Sequence, residues 1–125
     1  MSRLIVGLCC ALIVAGCSEK PNVTGSMEEA KVKGVVRVRG KAVNNGSVTF
    51  RASNINRPNA PTKETPIGKD GTFEVSAFIG NNFVEVSCKE LMQPKNRMLL
   101  ENERMIEIKP GDNTLDLDIP PEPAK

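Results

Sequence analysis

Over residues 33–119 the apolar side chains recur at every second position in short runs, and glycine, asparagine, aspartate or proline cuts each run after a few residues. No stretch sustains the 3.6 period of an amphipathic helix. Period two predicts strands with one buried and one wet face. In Val36-Arg37-Val38-Arg39 the valines share one face and the arginines the other. Val48, Phe50 and Ala52 alternate with Thr49 and Arg51, and Phe73, Val75 and Ala77 with Thr72, Glu74 and Ser76. Val84, Val86 and Cys88 are expected inside, because the opposite set contains Glu85 and Ser87; that leaves Phe83 at a rim. Ile106 and Ile108, then Leu115, Leu117 and Ile119 against Asp116 and Asp118, complete the pattern.

Residues that tolerate positive φ place reversals at Gly40-Lys41, Asn44-Asn45-Gly46, Lys69-Asp70-Gly71, Gly80-Asn81-Asn82 and Pro110-Gly111-Asp112-Asn113. Asp70-Gly71 is the strongest of these, and predicts a type I′ hairpin joining a strand over residues 64–68 to one over 72–77. About seven short strands within one domain predict an all-β chain, an antiparallel β-sandwich. Residues 54–63, with two prolines and three asparagines, predict a long surface loop. Residues 90–103 have no strand period; Pro94 can begin a helical turn there, and a loop covering the open end of the domain with its methionines is expected.

The start of the chain predicts export. One cation, Arg3, precedes an apolar run over residues 4–15, which as a helix would reach roughly 20 Å, short of the ~30 Å of a bilayer core. This is a secretory signal rather than a membrane span. Val14-Ala15-Gly16-Cys17 closely resembles the lipobox of bacterial lipoproteins. The resemblance implies cleavage before Cys17, a lipid on its sulfur, and anchoring to a membrane of the cell envelope, periplasmic or surface facing. The expected organisation is a signal peptide over residues 1–16, a lipidated Cys17 and flexible tether over 17–31, the sandwich over 32–119, and a disordered tail over 120–125.

Cleavage removes 16 of 125 residues and leaves 109, enough for one ordinary domain. The precursor's 17 Lys and Arg against 15 Asp and Glu give +2, and loss of Arg3 brings this to +1. The balance gives no electrostatic reason to expect nucleic acid. Of four cysteines, Cys9 and Cys10 leave with the signal and Cys17 carries lipid, so Cys88 remains without an intrachain partner. Its place in an alternating run reads as a small core group.

The chain has no histidine, so Ser-His-Asp and Cys-His catalysis are impossible within it, and common zinc sites lose their main nitrogen ligand. Neither a phosphate-binding nor a dinucleotide glycine motif occurs, and no cofactor or metal is expected. Asp112, Asp116 and Asp118 form the densest acidic group. Paired carboxylates or weak calcium ligation could use them, but the polar side of an alternating strand is their ordinary explanation. With no Trp or Tyr, platforms for stacking on sugar rings are also missing.

Gly34-Val35-Val36, Gly40-Lys41-Ala42-Val43, Gly46-Ser47-Val48-Thr49-Phe50 and Asp70-Gly71-Thr72-Phe73 resemble the carboxypeptidase regulatory-like domain. This is the transthyretin-like β-sandwich of many small bacterial lipoproteins, particularly of planctomycete type. Pro110-Gly111-Asp112-Asn113-Thr114-Leu115 is similar to that family's closing hairpin. The resemblance implies a fold and carries no catalytic residue. Ala42 replaces the usual proline, and Gly80-Asn81-Asn82-Phe83 the usual Pro-Gly-Lys-Tyr. Related hydroxyisourate hydrolases use histidines and a Tyr-Arg-Gly-Ser tail, whereas this chain ends Pro-Glu-Pro-Ala-Lys.

The expected function is a noncatalytic module at the envelope, held to the membrane through Cys17 and serving interaction or structure, with an envelope protein or surface partner. The alternative is a ligand-binding accessory for carbohydrate, peptide or calcium, using loop 54–63 or segment 90–103, and a concave pocket between the two would favour it. A carboxylate enzyme with two acids in one cleft comes third.

Overall fold

A computed structural model describes residues 24–121. The expected signal peptide over residues 1–16, Cys17 and the end of the expected tail, residues 122–125, lie outside them. The fold is a β-sandwich of two sheets. One holds β1 (Glu29–Val38), β2 (Lys41–Ala42), β5 (Thr72–Phe78), β8 (Asp112–Thr114) and β9 (Leu117–Ile119). The other runs β4 (Lys63–Pro66), β3 (Ser47–Arg51), β6 (Gly80–Ser87), β7 (Arg104–Ile108).

β1 is the centre of the first sheet. Lys31 lies between Ser76 of β5 and Asp112 of β8, and Arg37 between Ala42 of β2 and Asp118 of β9. Its inward positions are Ala30, Val32, Gly34, Val36 and Val38, and the four with side chains are buried. They meet Val48, Phe50, Val84, Val86 and Ile108 of the second sheet, with Phe50 and Phe73 rings 6.3 Å apart. At Gly34 the backbone of Leu115 takes the space a side chain would need: a Cβ there would lie 1.6 Å from the Leu115 oxygen. The valine face of β6 is the buried one, and Phe83 sits half-exposed with the Arg51 guanidinium 5.7 Å from its ring.

Four expectations are corrected. β4 pairs with β3 across the second sheet, not with β5. Residues 68–72 therefore form a corner between the sheets, closed by the Gly68 and Gly71 amides donating to the Thr72 and Gly68 oxygens, 2.8 and 3.0 Å. Gly71 has φ 78° while Asp70 is not left-handed, so the turn is not type I′. Likewise the turn after β7 closes no hairpin: β8 and β9 cross to the first sheet and pair with β1 in parallel. Parallel pairing enters a sandwich whose other ladders are antiparallel. The strand expected from residue 33 begins at Glu29, so residues 29–31, expected in the tether, pair with Ser76, Ala77 and Phe78. In residues 90–103 the buried groups are Leu91 and Asn96, whereas Met92 and Met98 point to solvent.

Candidate functional site

β1 separates two poles by about 30 Å, nine steps at ~3.3 Å per residue. The chain enters at the near pole through residues 24–28. Arg57 organises this end. It is 3 % exposed, and its Nε donates to the Ala52 oxygen (2.6 Å), Nη1 to the Ser26 and Ile79 oxygens (both 2.7 Å) and Nη2 to the Asn81 oxygen (3.2 Å). Burial lowers its pKa from the ordinary value. Asn82 braces the same corner, donating to the Phe78 and Gly80 oxygens.

The far pole carries a cavity of about 480 Å³. Val38, Ala42 and Val43 floor it; Arg39 and Lys41 come from the β1–β2 turn; Glu90, Gln93, Lys95 and Asn96 come from two 3-10 helical turns, Lys89–Met92 and Pro94–Leu99. The β1–β2 turn is the tight two-residue kind, with Arg39 at φ 52° and Gly40 at 83°. A left-handed arginine is uncommon, and here its side chain joins the two walls. Its Nε donates to Asn96 Oδ1 (2.6 Å) and its Nη2 to the Lys95 oxygen (3.3 Å). Asn96 is 2 % exposed and donates to the Glu90 oxygen at 2.7 Å. Asn45 holds the Glu90 carboxylate at 3.1 and 3.2 Å and accepts from the Lys89 amide at 2.8 Å. Three cations and one carboxylate therefore surround an apolar floor, on a frame whose polar groups are paired. Such a site can hold a polar or anionic group by charge-assisted hydrogen bonds.

A shallower groove of about 610 Å³ runs between the edges of β4 and β5 and over Gly34 and Val35. Glu74, Asp116 and Lys33 line it, and all three are exposed.

The sequence candidates fall apart in space. Loop 54–63 packs at the near pole against residues 25–27, and the 3-10 turns at the far pole, so among the described residues the two segments do not face each other across one pocket. Asp118 faces Arg37 at 3.6 Å, and among the described residues no three His, Cys, Asp or Glu side chains converge on a metal-sized site. Cys88 is 4 % exposed, and burial pushes its thiol pKa up. Sequence reasoning missed Arg57, Arg39 and Asn96. The signal for Arg57 was a lone cation in a neutral stretch of Asn and Pro. Among the described residues no helix is long and apolar enough to cross a membrane.

No protein-family model and no curated protein matches the chain. Among solved structures, a DUF3823 family protein from Parabacteroides merdae is similar at TM-score 0.50 and 19 % identity, over 72 % of this chain and 45 % of that one. A DUF3823 family protein from Bacteroides ovatus is similar at 0.50 and 16 %, over 73 % and 43 %. The dioxygenase domain of a dioxygenase carbohydrate-binding protein fusion from Streptomyces sp. SirexAA-E gives 0.48 and 15 %, over 79 % and 86 %. This chain spans less than half the length of the two DUF3823 proteins. At these identities the likeness to the two DUF3823 proteins is one of fold alone.

Proposed function

We propose that the chain is an exported lipoprotein, anchored through Cys17, whose noncatalytic β-sandwich serves as an interaction or structural module at the cell envelope. Two observations support the reading: the lipobox Val14-Ala15-Gly16-Cys17, and the placement of the polar cavity at the pole opposite the one where the chain enters. The second carries the functional half, because a module anchored at one end meets partners with the other. On this reading the sandwich is of the carboxypeptidase regulatory-like type, supported by its Gly40-Lys41 and Gly46-Ser47 turn sequences.

The test is cross-linking in native membranes, comparing the wild type with Lys41→Glu and Lys95→Glu, both exposed at the far rim. Loss of a specific adduct in the variants, with the fold intact, supports the reading. Adducts that survive both charge reversals count against it, as does turnover of a small substrate by the purified protein. A second reading, a ligand-binding accessory, is favoured by the volume and convergent polar groups of the cavity. It predicts that a small ligand protects Lys41 and Lys95 from acylation without any protein partner.

A further inference from the structure

We propose that the near pole is a seat for the lipid surface that carries the anchor; this rests on the reading that Cys17 bears the lipid. Seven residue steps separate Cys17 from Thr24, where the described chain begins. Fully extended they span at most about 25 Å. The headgroup layer takes up roughly 5 to 8 Å of that on each side of a bilayer. Because residues ahead of β1 already pack on the near pole, Asn54 donating to the Thr24 oxygen at 3.0 Å, the near pole is held close to the membrane.

The near pole suits that position. Its connecting segments, residues 24–28, 52–62, 78–82 and 109–112, contain four charged residues: Glu28, Arg57, Lys109 and Asp112. Arg57 is buried with its guanidinium on four backbone oxygens, and Lys109 and Asp112 share the last turn with opposite signs. The far-pole segments, residues 39–41, 67–71 and 89–101, contain nine. Bringing charges against the acyl boundary is costly, whereas Asn, Thr, Pro and apolar groups are tolerated there.

On the neutral side of the near pole Ile55 is 88 % exposed, and Met27 is half-exposed beside residues 56–60. Exposure alone decides nothing, since Met98 is 94 % exposed at the far pole. What separates them is setting: Ile55 stands on the anchored side in a loop whose one charge, Arg57, is buried on backbone oxygens, Met98 among exposed charges on the other. Arg57 ties residues 26, 52, 79 and 81 together, so the seat is preformed. So small an apolar tip would orient an anchored protein without recruiting a free one, in keeping with the need for two signals in stable membrane attachment.

The chain has no Trp or Tyr, so one introduced Trp reports alone. Residues 17–125 carrying Cys88→Ala would be coupled through Cys17 to a maleimide-headgroup lipid in phosphatidylcholine vesicles, with either Ile55→Trp or Met98→Trp. Both sites are surface positions, and circular dichroism checks the fold. With bromines placed high on the acyl chains, Ile55→Trp is expected to show blue-shifted emission and to lose most of its intensity, at low and high salt alike. Met98→Trp is expected to stay unquenched. If neither is quenched, or both are, or Met98→Trp alone is, the seat is overturned. Because coupling is chemical, the result is independent of whether cells lipidate Cys17, so failure of the seat and failure of the anchor are told apart.

Discussion

Arg57 shows how one residue can hold a pole together. A buried guanidinium usually faces a carboxylate; here backbone oxygens from three segments take its place. Arg57→Met should leave those oxygens without donors and cost about 3 to 5 kcal/mol in urea unfolding. Arg57→Lys should restore little of it, because one ammonium cannot match the planar fork. Cys88 makes a pH prediction. Its buried thiol has a pKa raised above the ordinary 9.0, so the folded chain holds the proton more tightly than the unfolded chain does. The contribution is therefore fully present below pH 9 and is lost as pH rises through the folded-state value. Cys88→Ala should cost about 1 kcal/mol or less at neutral pH. Between neutral pH and about pH 10 its midpoint of denaturation should fall less than that of the wild type. Parallel pH curves would mean that the thiol is not insulated from water. Cys88 was legible in the sequence because alternation fixes a face. Arg57 was not, because nothing local tells which distant carbonyls a loop cation will find.

At the scale of elements, short-range chemistry located most reversals but did not say which edges they join. Lys69-Asp70-Gly71 does turn the chain, yet the strand before it lies on β3 in one sheet and the strand after it on β1 in the other. Turn residues act over four positions, while the choice of sheet depends on packing across the whole core. Gly71 still carries the turn: at φ 78° a side chain would come within 2.9 Å of the Val36 oxygen and 3.0 Å of the Val43 oxygen. Gly71→Val should cost on the order of 1 to 3 kcal/mol; exposed Lys69→Val should stay within about 0.5 kcal/mol. Equal effects in chemical denaturation would contradict the corner geometry. Gly34 tests the parallel pairing. A methyl there meets backbone, which cannot move aside as a flexible side chain would. Gly34→Ala should therefore destabilise by about 3 kcal/mol or more, and speed hydrogen exchange at Leu115, whose amide donates to the Lys33 oxygen. Unchanged exchange would mean that β8 and β9 do not follow β1 as described. No turn motif announces a crossing of this kind, which is why the family-like closing hairpin was expected in its place.

For the whole molecule, strand alternation made the two-sheet sandwich readable, because burying one face of each strand leaves few other solutions. The opposition of the poles was not readable, since it depends on which loops end up together: 54–63 at the entry end, 90–103 beyond the other. That opposition gives the proposal its direction, from an anchor at Cys17 to a cation-rich cavity about 30 Å along β1. The anchor is the premise on which the direction depends. The most direct measurement is mass spectrometry of the protein extracted from membranes of cells fed a fatty-acid probe, wild type beside Cys17→Ser. The account predicts a wild-type chain that begins at Cys17 with the probe attached there, and a variant that keeps residues 1–16 and carries no probe. A wild-type chain without lipid at Cys17, or equal labelling of the variant, would contradict it.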